Sequence, residues 1–199
     1  MRRLINLLLP CLAGCASLAT VGLPASAPPR DSVSLADSEF EPSTDILGIE
    51  TVYDSLSGLA GRYDTFFIHS RFYKQTRRTT HQLVVRNYYR NSGLRFWERA
   101  NLDDARSLEV TPIKRDVESC SGYGDCVVGN AVSAIRPTRF HYEDFGIGLP
   151  DELIRARVST GFAVKVYARS GETMILRVPP RIISLQLAAL DSIAKKYAK

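Results

Sequence analysis

The chain has 199 residues, of which 45% are hydrophobic and 24% are charged, and its formal net charge is +5. This length suffices for one domain with its own core, and this composition excludes a wholly disordered chain, a collagen and a coiled coil. The net charge is mildly basic, well below that of a histone-like protein. Four cysteines and three histidines leave little material for a multi-metal site.

A charged and then apolar segment opens the chain. Arg2 and Arg3 precede an apolar run at residues 4–9, which is too short to cross a bilayer because a transmembrane helix needs about 20 residues. Positive charge, a short apolar run and then small residues are typical of an export signal. The segment ends with a motif that resembles the lipobox of bacterial lipoproteins, Leu12-Ala13-Gly14-Cys15.

The resemblance implies that the chain is cut just before Cys15 and that this thiol carries a diacylglycerol. Residues 1–14 would then be a lipoprotein signal peptide. Ala16 follows the cysteine where lipoproteins retained at the inner membrane often carry Asp, so the resemblance implies attachment to the outer membrane, facing the periplasm or the cell surface. Ordinary secretion with cleavage after residues 25–27 (Ala-Ser-Ala) and an unmodified, buried Cys15 are the competing interpretations.

Residues 15–44 predict a flexible tether between the lipid and the folded domain. This segment is rich in alanine, serine, proline and acidic residues and has only scattered apolar side chains. Such a composition buries too little apolar surface to form a core. A single globular domain is therefore predicted over residues 45–199.

Hydrophobic periodicity within that domain predicts an α+β fold. Apolar residues recur every three or four positions over residues 45–61, which predicts an N-terminal amphipathic helix. Alternation with a period of two then predicts strands over residues 81–89 and 94–100 and a hairpin over residues 162–178. Pro179-Pro180 precedes a last amphipathic stretch. We expect an antiparallel β-meander or a sandwich-like sheet with an N-terminal and a C-terminal helix.

Two cysteines of the domain, Cys120 and Cys126, are separated by five residues. An exported chain meets an oxidising compartment, and the lipoprotein resemblance implies that Cys11 is removed and Cys15 is lipidated. The resemblance therefore leaves Cys120 and Cys126 as the predicted disulfide, which would hold a turn. Nothing resembling a His-Glu-x-x-His or Gly-x-Ser-x-Gly motif occurs, so the sequence predicts no catalytic residue, no metal site and no cofactor.

Charge is unevenly distributed along the domain. Residues 65–97 contain seven basic residues, no acidic residue and many aromatic ones, a pattern that would favour single-stranded nucleic acid in a cytoplasmic protein. Export makes nucleic acid an unsuitable partner and favours an anionic envelope polymer. The candidate anion-binding residues lie in and beside a predicted loop: Arg71, Lys74, Arg77 and Arg78. The alternative is that these strands turn arginine to water and aromatic rings to the core.

These observations predict a membrane-anchored envelope lipoprotein that acts as a binding or assembly module. Its partners would be the membrane, through the N-terminal lipid, and an anionic envelope polymer or another envelope protein. A purely structural role shares the same sequence features. The alternative from another class is an envelope hydrolase, acting on cell wall or glycan through an unrecognised site.

The anchor prediction is tested by Cys15→Ala. Without the thiol that accepts the lipid, the chain should remain an unlipidated precursor and be lost from detergent-extractable membrane lipoproteins. Metabolic labelling with a fatty acid, followed by membrane fractionation, measures both effects. Normal labelling and membrane partitioning of the variant would refute the lipobox assignment.

Overall fold

The structure, a computed structural model, describes residues 29–54, 64–90, 93–120 and 138–198. The predicted signal peptide, the lipidation site Cys15 and the disulfide partner Cys126 lie outside these ranges. Cys120 is the last residue of a strand. Because Cys126 is not among the described residues, the disulfide stays a prediction.

The described residues form eleven strands and two helices. In chain order they are β1 (Ser34–Ala36), β2 (Ser43–Leu47), β3 (Thr51–Asp54), β4 (Asp64–Tyr73), β5 (Thr79–Arg90), β6 (Trp97–Leu102), β7 (Ser107–Leu108), β8 (Val110–Cys120), β9 (Thr138–Leu149), α1 (Asp151–Ala156), β10 (Phe162–Ala168), β11 (Thr173–Val178) and α2 (Pro180–Lys196).

The strands form two antiparallel sheets. The large sheet has the order β1-β2-β4-β5-β9-β8, and β3 pairs with the other end of β4. The small sheet has the order β11-β10-β6-β7. Because β6 and β7 leave the large sheet between β5 and β8, the chain does not follow a simple meander. The coarse prediction of a β-rich, sandwich-like domain with a C-terminal helix is confirmed.

One hydrophobic core lies between the sheets and beneath the helices. On the large sheet, the inward residues alternate along each strand, as Phe66 and Ile68 do on β4. Trp97 of the small sheet stacks on Phe145 of the large sheet, with their ring centroids 5.8 Å apart. Aligned inner faces of this kind are the packing of a β-sandwich.

Helix α2 covers the part of the large sheet that the small sheet leaves open. It begins with Pro180 at its first position, where the missing N–H is not needed. Ile183, Leu187, Leu190 and Ile193 recur at helical spacing and are buried. The predicted C-terminal helix and the predicted β10–β11 hairpin are both confirmed.

The predicted N-terminal helix is wrong over residues 45–54, where the structure has β2 and β3. Thr44 and Ile46 are both fully buried while their neighbours on β2 are partly exposed, which is the alternation of a strand. Gly48 also lies so close to β4 that a Cβ atom there would meet the backbone oxygen of Ile68 at 2.8 Å. The rest of the predicted helix, residues 55–61, lies outside the described residues.

The predicted end of the tether, residue 44, is too late. Residues 34–36 form β1, which pairs with β2, and the backbone N–H of Glu50 donates to the carbonyl of Arg30 at 2.8 Å. The side chains of β1 are exposed, so this segment is held by backbone pairing and polar contacts rather than by apolar burial. The tether was predicted from its scarcity of apolar residues, and that criterion does not detect a strand whose side chains are exposed.

Two glycines with the same backbone conformation test the packing between α1 and the small sheet. Gly161 has φ +70° and a Cβ there would collide with the backbone oxygen of Val178, whereas Gly93 has φ +73° and nothing within 4 Å. Both changes to alanine carry the cost of a left-handed backbone, about 1 kcal/mol. Gly161→Ala should in addition force the strand end apart and cost about 3 kcal/mol or more in total. Urea unfolding of both variants measures the difference, and equal losses would contradict this packing.

Candidate functional site

Three segments that are distant in sequence meet at one end of the large sheet. They are the β1–β2 loop at residues 37–42, the β4–β5 turn at residues 74–78 and the end of the chain at residues 195–198. We call this assembly the tip. It contains three of the four predicted anion-binding residues, Lys74, Arg77 and Arg78, and Arg71 lies beside it on β4.

Asp37 joins the three segments. Its carboxylate accepts hydrogen bonds from Lys196 Nζ at 2.6 Å, from Thr44 Oγ1 at 2.6 Å and from the Tyr197 hydroxyl at 3.0 Å, and Lys74 Nζ lies 3.0 Å from it. The hydrogen bonds from Lys196 and then Thr44 hold the pKa of Asp37 far below its ordinary value. Asp37 therefore stays ionised and fixes the two lysines.

The structure divides the four predicted residues into two pairs. The guanidinium of Arg71 donates to Asp45 at 2.7 Å, and the ammonium of Lys74 is bound to Asp37. Arg77 and Arg78 are exposed, and neither has a carboxylate partner among the residues that the structure describes. Arg77 reaches only the backbone oxygen of Ala198, at 3.5 Å.

Backbone hydrogen bonds hold the turn in place. The N–H of Tyr73 donates to Arg78 at 2.9 Å, that of Arg77 donates to Tyr73 at 2.8 Å, and that of Lys74 donates to Pro42 in the neighbouring loop at 3.0 Å. Arg77 adopts φ 56°, which a non-glycine residue rarely takes. The two unpaired arginines are thus presented by an ordered turn.

A Ser-His-Asp arrangement lies inside the fold and was not anticipated. The hydroxyl of Ser70 on β4 is 2.7 Å from Nδ1 of His81 on β5, and Nε2 of His81 is 3.0 Å from Asp151 at the start of α1. Gln186 of α2 extends the chain, since its amide nitrogen is 2.8 Å from the Ser70 hydroxyl and 3.0 Å from the backbone oxygen of Ile46.

The carbonyl of Ile46 fixes the direction of every hydrogen bond in this chain. Only the amide N–H₂ of Gln186 can face that carbonyl, so the same nitrogen also donates to the Ser70 oxygen. The Ser70 proton is then free to donate to Nδ1 of His81, which leaves the proton of the neutral imidazole on Nε2, facing Asp151. Burial lowers the pKa of His81, which agrees with a neutral ring.

This hydrogen-bond chain has a structural role, because a nucleophilic serine would have to be accessible to a substrate. Ser70 is fully buried and the side chain of His81 has no exposed area. The Ser-His-Asp arrangement therefore gives no support to the alternative of an envelope hydrolase.

A second buried polar cluster is centred on Glu143, which is 2% exposed. Its carboxylate accepts hydrogen bonds from the Tyr89 hydroxyl at 2.6 Å, from the backbone N–H groups of Arg95 and Phe96 at 3.0 and 3.1 Å, and from Arg115 at 3.2 Å. Burial and this carboxylate raise the pKa of Tyr89. Glu143 thus fastens the segment before β6 to the large sheet, which is a structural task.

The three histidines lie apart from one another. His69 is 3.1 Å from Asp45 on the outer face of the large sheet, His81 belongs to the buried chain, and His141 stacks on Tyr89. Among the described residues no cluster of three metal-ligating side chains occurs.

The structure also assembles a cationic surface that the sequence did not indicate. Arg99, Lys165 and Arg177 are exposed and lie on three adjacent strands of the small sheet, β6, β10 and β11. They are 66 and 12 positions apart in sequence, so a search for runs of charge does not find them. Strand order and register were the only signals that could have joined them.

Comparisons with protein-family models, with curated proteins and with solved structures each found no match to this chain. Neither of the two described helices is long and apolar enough to cross a membrane.

The buried hydrogen-bond chain through His81 should make the stability of the fold depend on pH. Above the ordinary histidine pKa of about 6.5, His81 is neutral in both the folded and the unfolded chain. Below it, the unfolded chain binds a proton that the folded chain resists, so His81 should lower the stability as the pH falls from about 7 to about 5.5.

His81→Gln isolates that contribution. The variant should be less stable than the wild type at neutral pH because the buried chain is broken, yet it should lose less stability on acidification. Urea unfolding across this pH range measures both curves. Parallel curves for the two proteins would mean that His81 is not a source of the pH dependence.

Proposed function

We propose that this chain is a lipid-anchored envelope protein whose domain binds an anionic envelope component through the tip. The observation that carries the proposal is the exposed pair Arg77 and Arg78, which are ordered by the turn and lack a carboxylate partner among the described residues. Because the backbone of the turn is already ordered, an external anion that binds here needs to order only the two arginine side chains.

The surroundings of this pair limit what binds there. The β1–β2 loop carries exposed Glu39 and Glu41 on either side of Phe40, which is 88% exposed. Two exposed carboxylates in the same tip repel a dense, uniform layer of negative charge. A partner with localised anionic groups and an apolar contact for Phe40 suits the tip better, which favours an envelope protein or a polymer with spaced charges.

The proposed anchor would keep the domain close to the membrane. Fourteen residues, 16–29, separate Cys15 from Arg30, which is bound to Glu50 at 3.2 Å. A flexible chain of this length spans about 20 Å on average. A separation of about 20 Å between the lipid and the fold supports a binding module that works near the membrane surface.

Opposite charge changes at the tip test this proposal. Arg77→Gln with Arg78→Gln should weaken retention of the full chain on purified cell-envelope material by roughly thirtyfold at low salt, since each cation near an anionic surface contributes about 1 kcal/mol. Asp37→Asn frees Lys74 and Lys196 and should strengthen retention. Added salt should reduce both effects.

The matched control is Lys114→Gln with Arg181→Gln, which removes the same charge from two exposed residues outside the tip. A pulldown of the detergent-solubilised full chain measures all three variants, and circular dichroism checks that each is folded. If the control weakens retention as much as the tip variant does, binding reflects net charge and the tip is not the site.

A further inference from the structure

The outer face of the small sheet carries a row of three cations that we call the cationic row: Arg99 on β6, Lys165 on β10 and Arg177 on β11. The register places Arg99 opposite Tyr167, and Arg177 opposite Ala163. Lys165 lies between these two levels, so the three side chains form a diagonal line across the strands. Diagonal neighbours are about 7–8 Å apart, which makes the row about 15 Å long.

No carboxylate within the described part of the chain neutralises the cationic row. The acidic residues nearest in sequence are engaged elsewhere, since Glu98 pairs with Arg169 at 2.9 Å, Glu172 lies 3.8 Å from Arg95, and Asp103 lies 3.3 Å from Arg157. Three like charges on one sheet face repel one another and oppose folding slightly. That arrangement is relieved when an external polyanion binds.

Tyr167 orders two of the three cations. The guanidinium of Arg99 lies 4.5 Å from the centre of its ring, and the ammonium of Lys165 lies 5.2 Å from it. Such contacts hold long side chains over the sheet while leaving their charges exposed to solvent. The ring therefore prepares the row for a ligand that lies across the strands.

Neutral side chains with hydrogen-bonding groups border the row. Asn101 pairs in register with Lys165, and Thr173 pairs with Tyr167. An amide and a hydroxyl at these positions can donate to and accept from the hydroxyl groups of a sugar. Ile175, beside Lys165, is 54% exposed and is the one large apolar side chain on this face.

We propose that the cationic row binds a linear polysaccharide that carries carboxylates along its length. Cations in a line match spaced anionic groups, whereas a single phosphate is held by cations that converge on one point. A bilayer fits this face less well, because three cations contribute only about 3 kcal/mol at an anionic surface and Ile175 alone offers little apolar insertion.

The cationic row and Arg30 lie on opposite faces of the sandwich. Arg30, near the start of the described residues, stacks over Phe67 on the outer face of the large sheet, at 4.7 Å from the ring centre. That face lies on the other side of the sandwich from the row. A domain anchored through residues 15–29 can therefore present the row away from the side at which its chain enters the fold.

The experiment measures binding of the purified full chain to immobilised alginate, a linear polymer of sugar carboxylates, with neutral dextran as the blank. The row variant is Arg99→Gln with Lys165→Gln and Arg177→Gln. The matched control is Arg106→Gln with Lys114→Gln and Arg181→Gln, which removes the same charge from three exposed residues outside both the row and the tip. We expect alginate binding to fall by about tenfold or more in the row variant and by less than about twofold in the control.

Three outcomes would overturn the proposal. Equal losses in both variants would mean that alginate responds to net charge, and the absence of alginate binding by the wild type would exclude this ligand class. Vesicles containing phosphatidylglycerol form a parallel arm, in which a loss confined to the row variant, without any effect on alginate, would assign the face to a membrane. Retention on envelope material reports on the tip, so a failure of either site is seen separately.

Discussion

One buried hydrogen-bond chain holds the two helices in register on the large sheet. It runs from the backbone carbonyl of Ile46 through Gln186, Ser70 and His81 to Asp151 and so links β2, α2, β4, β5 and α1. Buried polar groups are costly when they lack partners, and Gln186 Oε1 already has none among the described residues, so a shift of the helices against the large sheet would leave further buried donors or acceptors unpaired. The carbonyl end fixes the direction of each bond, and the neutral imidazole makes the whole arrangement sensitive to acid.

Ion pairing divides the basic residues into those bound to a carboxylate of the fold and those whose charge can bind an external anion. Lys74 and Arg71 looked equivalent to Arg77 and Arg78 in sequence, yet two are held by carboxylates and two face solvent. The same distribution of acidic residues leaves Arg99, Lys165 and Arg177 without a carboxylate partner among the described residues. The proposed binding surfaces are therefore defined by where the acidic residues lie as much as by where the basic ones do.

Hydrophobic periodicity correctly predicted the elements in which buried and exposed residues alternate regularly and in which contacts are between neighbouring segments. The β10–β11 hairpin and α2 have a clear period and clear breaks, and both are confirmed. The prediction of a helix over residues 45–54 was wrong. Ile46 and Ile49 are three positions apart, which suits a helix, but pairing with β4 decides the conformation. The sequence did not predict β1 because its side chains are exposed, and backbone pairing with β2 and the polar contacts of Asp37 hold it instead. The six-residue α1 was also missed.

The sequence by itself determined the β-rich sandwich with a C-terminal helix, and its motif at Cys15 is what supports the proposed anchor. Both rest on information carried by neighbouring residues, either a hydrophobic period or a contiguous motif. Only the tertiary structure decided which cations are free and which polar groups are buried together. Ser70 and Gln186 are 116 positions apart, and Arg99 and Arg177 are joined by strand order alone. Such contacts depend on how the sheets pair and pack, and no local pattern records that.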